Sequence, residues 1–245
     1  MSETLCCDQP NLASAPLPPA ATCVAPAGRD APTPMITQKL YHSYLASLLT
    51  GEHCHCHTVV TDLLKRGVEI KELYLGLFQR SLYEVGEMWE HRKISVAVEH
   101  MASAITESLL TLVYPAIFSA EHSGKSVVIS CVANEYHQIG SKMVADFFEL
   151  HGWHGYFLGA NTPEDDLLRM IDDKQPKLIG LSLSLYSNLP NLVETIEAIT
   201  GRWPESQLLV GGQAFRNGGA EILSPFANVR YVASLDDLEA VLAGA

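Results

Sequence analysis

Residues 126–140 read SVVISCVANEYHQIG. The first half is a short run of β-branched and aliphatic residues; the second is a polar loop leading into a helical period over 138–151. So short a run bounded by a loop reads as a buried strand feeding a helix. The alternation repeats downstream. Strands are expected at 126–132, 154–158, 177–183, 207–211 and 229–232, with helices at 138–151, 163–173, 189–200, roughly 217–224 and 234–243. Alternating strands and helices imply a parallel sheet covered on both faces. Five strands predict the flavodoxin-like (Rossmann-like) order 2-1-3-4-5, in which a ligand sits at the carboxyl ends of strands 1 and 3, where the winding reverses.

Upstream the period is helical. Ile36, Leu40, Tyr44 and Leu48 fall four apart; Val59, Val60, Leu63 and Leu64 form a second face that Gly67 ends as a cap. Ile70, Leu73, Leu77, Val85 and Met88 make a third face, and Val98, Met101, Ile105, Leu109 and Leu112 a fourth, with Pro115 near its end. Four such helices predict an antiparallel four-helix bundle over 35–122, ahead of an α/β domain at 125–245. Residues 1–34 hold seven Pro and seven Ala without apolar periodicity, and are expected to be a disordered extension.

Composition narrows the function. Hydrophobic residues make up 47% of the chain, enough for a substantial core, and the formal charge is -12. An acidic surface repels phosphate backbones, so no direct, specific nucleic-acid binding is expected, though a DNA-binding partner is compatible with it. No apolar run is read as long enough for a membrane helix, and the start MSETLCCDQP lacks a basic segment followed by an apolar one. Cysteines 6, 7, 23, 54, 56 and 131 make a poor disulfide framework, which points to a reducing, cytoplasmic setting.

Three loops follow strands 1, 3 and 4: Glu135-Tyr136-His137-Gln138-Ile139-Gly140, Ser182-Leu183-Ser184-Leu185-Tyr186-Ser187 and Gly211-Gly212-Gln213-Ala214. The topology brings all three to one end of the sheet. His137 can offer a neutral imidazole nitrogen to a metal, with Glu135 orienting the ring through the other nitrogen. Gly140 reads as a tight turn into the helix, Ser182 and Ser184 as small hydroxyls beside a passing ligand, and Gly211-Gly212 as a slot beside the sheet. Taken singly, His137 equally reads as a loop histidine with a satisfied hydrogen bond, and the glycine pair as a turn.

Together, E-x-H-x-x-G, the IGLSLS strand end and LLVGGQA resemble the B12-binding domain of methionine synthase and its relatives, over residues 125–245. The family pattern is D-x-H-x-x-G, S-x-L or S-x-T, then GG. Glu135 stands for the usual Asp, and Ser184 takes the Leu or Thr position. The resemblance implies a cobalamin with an adenosyl, methyl or hydroxo upper ligand. It implies His137 as the lower cobalt ligand, and the displaced nucleotide tail lying beside Ser182, Ser184, Gly211 and Gly212.

Within the helical part, Trp89 is followed after nine residues by Glu99-His100. This W-x9-E-H pattern resembles the cap of CarH-type cobalamin photoreceptors, and implies that Trp89, Glu99 and His100 lie over the upper face of the corrin. In that family a His directly follows the Trp; here Glu90 does, with His91 one step further. A one-residue helical shift turns a side chain by about 100°, so His91 is a displaced candidate for the upper ligand. CarH-type proteins also begin with a helix-turn-helix domain where this chain has its Pro/Ala-rich extension. The chain resembles instead the AerR/PpaA group of B12-binding antirepressors. That resemblance implies a light-responsive regulator whose partner is a repressor of photosynthesis genes. A corrinoid methyl carrier is the alternative from another class, and the B12 subunit of a mutase a third. His53-Cys54-His55-Cys56-His57 reads as a polar helix junction, a structural metal site or a redox- or haem-responsive element.

Overall fold

A computed structural model of the chain describes residues 35–244. The expected extension 1–34 lies outside the described residues. The helical part begins with α1 (Gln38–Thr50), whose N-cap Thr37 accepts the Leu40 N–H, and α2 (His53–Lys65). Gly67 ends α2 with φ 78°. Its N–H donates to the Leu64 carbonyl, and the Val68 N–H donates to that of Leu63. These two bonds satisfy carbonyls that the helix leaves open, in the left-handed conformation glycine adopts without strain. The third helix runs through α3 (Ile70–Leu73), a π-helical segment Tyr74–Gln79 and α4 (Arg80–Glu90). The π segment buries Tyr74, Leu77 and Phe78 completely. A turn at 91–95 leads into α5 (Val96–Leu110), capped by Ser95 and continued through a 3-10 turn into α6 (Tyr114–Ile117). The expected four helices are therefore present.

The run Val96–Ile117 spans 22 residues with a mean hydropathy of 1.3, long and apolar enough to cross a membrane by length and composition. The sequence expectation overlooked it because Glu99, Glu107 and Pro115 interrupt the apolar run. Its Ala102, Ile105, Leu109, Leu110 and Val113 pack into the bundle core, which accounts for the apolarity of that face.

The α/β part has strands β1 (Ser126–Cys131), β2 (His154–Gly159), β3 (Leu178–Ser182), β4 (Gln207–Gly211) and β5 (Val229–Tyr231), all parallel in the order β2-β1-β3-β4-β5. This is the expected flavodoxin-like order. The connecting helices are α7 (Ile139–Leu150), α8 (Glu164–Lys174), α9 (Leu189–Arg202) and α10 (Leu235–Gly244). The helix expected at 217–224 is only a 3-10 turn, Ala220–Leu223. Gly218 and Gly219 take φ 103° and 91°, conformations an α-helix cannot contain.

One apolar cluster joins the bundle core to a sheet face through Val127, Ile129, Met143, Phe147 and Phe148. Another fills the opposite face beneath α8 and α9, with Leu167, Ile171, Leu192 and Ile196. Polar contacts also cross between the two parts: the Tyr74 hydroxyl donates to Asp146 (3.0 Å), and Lys71 pairs with Asp236 and Glu239. The bundle is thus seated on one side of the sheet, with α4 and α5 leading to the turn that carries the candidate cap residues.

Candidate functional site

Strand β1 ends at Cys131, and the chain turns through Asn134 in the left-handed region (φ 64°) before reaching His137. The tight turn therefore lies at Asn134. Gly140, expected to provide it, is the second residue of α7, and a Cβ there would meet nothing within 4 Å. What Gly140 provides is open space on the loop that carries His137.

Glu135 organises the loop. It is completely buried, and its Oε1 accepts from the His137 N–H (3.0 Å) and pairs with His137 Nδ1 (2.6 Å). Its Oε2 accepts from the Ser184 and Leu185 N–H groups (2.9 Å each) and from Asn188 Nδ2 (3.3 Å). Burial by itself raises the carboxyl pKa; the bonds from His137, Leu185 and Ser184 overcome it and hold the group down at about 2. The Oε1–Nδ1 bond fixes which way the His137 ring faces. One carboxylate thus serves both the first loop and the loop after β3.

The His137 imidazole is held above its ordinary range by the Glu135 hydrogen bond, against the opposing effect of burial; the charges of Glu135 and Glu99 add to it. With Nδ1 on Glu135, Nε2 is the nitrogen left for another ligand, and its side chain is 48% exposed. Among the described residues Nε2 has no hydrogen-bond partner. The His137 carbonyl is held from below by the Cys131 thiol (Sγ to O, 3.7 Å), itself against the Ser141 hydroxyl. Burial pushes that thiol up to about 11, opposed by the Ser141 hydrogen bond, which suits a structural rather than a reactive cysteine.

Ser182 ends β3, and Ser184 lies two residues on, its backbone committed to Glu135. The glycine pair corrects an expectation. A Cβ on Gly212, where φ is 112°, would lie 2.1 Å from the Leu183 carbonyl oxygen; one on Gly211 would lie 3.1 Å from that of Val232. The freed side-chain positions are filled by backbone. The glycines draw the β4 loop against the Ser182–Ser184 strand end instead of leaving an open slot there.

The cap residues flank the 91–95 turn. Trp89 lies near the end of α4, 47% exposed, and Glu99 and His100 lie in the first turn of α5, where Glu99 also accepts from Ser103 Oγ (2.9 Å). The Glu99 charge adds to the rise in the His137 pKa, and Gln138 of the same loop bonds Glu107 of α5, so the cap helix and the His137 loop are in contact. His91 caps α4 outside helical geometry (φ -82°, ψ 9°), with Nδ1 at 2.7 Å from the Glu87 carbonyl. Its N–H still donates to the Glu87 carbonyl as a helical residue's does (3.0 Å), so the rotation expected from helical spacing applies to it. The exposed large apolar side chains include Trp89 and Val96 on the cap side and Tyr136, Leu185 and Tyr186 in the strand-end loops. Exposed apolar side chains on the same loops as a half-exposed imidazole suit a large ligand with apolar surface and a metal centre.

Sequence reasoning missed three contributors. Asn188 bonds Glu135 and also donates to the Asn134 carbonyl (3.0 Å). Gln138 Nε2 donates to Glu107 of α5 (2.8 Å). Arg216 lies over the Tyr83 ring, 4.7 Å from its centroid, tying the β4 loop to α4. The available signal was the position of Asn188 and Gln138 immediately before helices that open toward the site. The His53–His57 segment forms the start of α2, where the His53 ring meets Ser108 and the His55 ring meets Ser43. Among the described residues no group of three or more His, Cys, Asp or Glu could hold a metal ion.

Residues 125–235 match the family model of the B12 binding domain, and residues 40–114 match a second model of the same description. The HTH-type transcriptional repressor CarH of Myxococcus xanthus is 28% identical over 138 residues, which is 56% of this chain and 45% of that protein. Trimethylamine corrinoid protein 1 of Methanosarcina acetivorans is 23% identical over 159 residues, 63% of this chain and 74% of that protein. The solved monomethylamine corrinoid protein of Methanosarcina barkeri superposes with a TM-score of 0.73 at 11% identity, covering 85% of this chain and 99% of that one. The chain spans about half the length of CarH and of its relative CarA, 45% and 51%. Its helical part and its α/β part are both B12-binding domains, and the cofactor of the chain is cobalamin.

Proposed function

We propose that this chain is a cobalamin-dependent, light-responsive antirepressor acting through a DNA-binding protein partner, a repressor of photosynthesis genes. In this reading residues 35–122 are the cap, residues 125–245 hold the cofactor, and the protein works in the cytoplasm. Its three free described cysteines, Cys54, Cys56 and Cys131, suit that compartment. The observation that carries the proposal is the placement of Trp89 at the end of α4 and of Glu99-His100 at the start of α5, on either side of the 91–95 turn. The similarity to CarH supports it.

Bound cobalamin supplies a cobalt whose upper axial ligand is sensitive to light. His137 Nε2 would hold the cobalt, with Glu135 occupying Nδ1 so that the Nε2 lone pair stays available. Ser182, Ser184, Gly211 and Gly212 would border the nucleotide tail. Trp89 would exclude water from the opposite side, Glu99 and His100 would offer hydrogen bonds to a polar group there, and His91 would be the candidate second ligand. Regulation then requires the two upper-face states to differ in how they set the cap, and so in partner affinity.

Absorption spectra of the loaded protein in the dark and after illumination, each with binding to the repressor, test this. A light-induced spectral change with altered repressor binding is expected, and Trp89→Ala should blunt the difference while leaving cobalamin bound. A light-insensitive protein that binds no repressor would remove the proposal. A second reading, a corrinoid methyl carrier, draws on the similarity to the trimethylamine corrinoid protein. Docking to a methyltransferase with no effect of light would favour it.

A further inference from the structure

Next to His137 in the chain, one uncharged side chain joins three elements. Gln138 is the N-cap residue of α7, and its backbone carbonyl accepts from the Lys142 N–H (2.9 Å) and the Ser141 hydroxyl (2.8 Å). Its backbone is thereby anchored to α7. Its side chain points elsewhere: Oε1 accepts from the Ala160 N–H (3.1 Å), at the end of β2, and Nε2 donates to Glu107 Oε1 (2.8 Å) on α5. The approach to the β2 end is close, since a Cβ on Gly159, at φ 84°, would lie 3.1 Å from Gln138 Oε1. Both ends of the amide are used, so it cannot rotate to another partner without losing both bonds.

The α5 side of the bond is equally placed. Glu99, Ser103 and Glu107 recur every four residues and share one face of α5. Glu99 is the residue whose charge His137 feels; Glu107 lies eight residues on, about 12 Å along the helix. A movement of α5 at its Glu99 end is carried rigidly to Glu107, and through the Gln138 amide to the residue next to the cobalt ligand.

We propose that Gln138 is a positioning residue that couples the seating of cap helix α5, through Glu107, to the placement of the lower cobalt ligand His137. The inference rests on His137 being that ligand and extends the reading by making lower-face ligation depend on cap position. A hydrogen bond of this kind contributes roughly two- to tenfold in an equilibrium constant.

The test is a double-mutant cycle on Gln138 and Glu107, with His137→Ala as reference. Hydroxocobalamin is the probe, read by affinity and by the fraction showing histidine-ligated absorption. Hydrogen exchange of residues 96–110 and of the Ala160 amide is read separately in the cofactor-free protein. Gln138→Ala and Glu107→Ala are each expected to lower the histidine-ligated fraction roughly two- to tenfold and to speed exchange in α5. The double variant should be no worse than either single one, and Glu107→Gln, which keeps an acceptor, should restore the wild-type spectrum. Additive effects, or unchanged ligation in both single variants, would overturn the coupling. If instead His137→Ala itself leaves the spectrum unchanged, the lower-ligand assignment fails. The exchange data on the cofactor-free protein still decide whether Gln138 ties α5 to the loop.

Discussion

His137 and Glu135 act as one unit. The carboxylate takes five donors from two loops and from Asn188, one more than its roughly four lone-pair sites, so it has no acceptor capacity to spare. Glu135→Gln preserves size but turns an NH2 toward at least one N–H donor. The expected cost is about 1–3 kcal/mol, with one buried donor left unpaired; urea unfolding of the cofactor-free protein measures it, and cobalamin affinity should fall with it. A variant as stable as wild type would show that the loops hold themselves without the carboxylate. His137→Ala removes one of the donors to Glu135. The ring is half-exposed but bonds the buried Glu135, so stability should fall by roughly 1–3 kcal/mol. Bound cobalamin should lose its histidine-ligated absorption and bind more weakly. An unaltered spectrum would assign the lower ligand elsewhere.

At the scale of elements, the ends of β1, β3 and β4 meet because glycine permits it. Gly212→Ala must relieve a Cβ placed 2.1 Å from a backbone oxygen and hold an unfavourable φ. The backbone conformation alone costs roughly 1–3 kcal/mol, so scanning calorimetry should show Tm lowered by at least about 2 °C. Gly140→Ala is the contrast. It sits in α7 with nothing within 4 Å of the added carbon, and Ala favours a helix by up to about 1 kcal/mol. Thermal stability should be unchanged or higher while cobalamin affinity falls, because the methyl group fills the space beside His137. Equal affinity in Gly140→Ala would place the cofactor away from that side of the loop. The pair tests whether one glycine serves the fold and the other the ligand.

At the scale of the molecule, one apolar cluster runs from the bundle through α7 to the sheet, so the two parts are seated on a shared core. The matched B12-binding domains begin at residue 40, and a chain starting at Met35 is expected to bind cobalamin as the full chain does; equilibrium titration of both forms decides it, and a large loss on truncation would give residues 1–34 a part in the site. Much of this architecture was legible in residue order. Short aliphatic runs such as 126–131, alternating with helical periods, dictate a parallel sheet and its winding. The order of winding in turn brings Glu135-Tyr136-His137, Ser182–Ser184 and Gly211-Gly212 to one end, because all parallel strands deliver their carboxyl ends to the same side. The helix expected at 217–224 failed because Gly218 and Gly219 are set by local backbone freedom that apolar spacing does not record. The roles of the glycines, the long-range partners of Glu135 and the partners of Gln138 and Arg216 belonged to tertiary structure alone. Glu135 meets Ser184 and Asn188 about fifty residues away, Gln138 meets Glu107 across the two parts, and Gly212 meets the Leu183 backbone. Periodicity reports which face of an element is buried; which polar atom waits at the other end of a long-range hydrogen bond depends on how the elements pack in three dimensions.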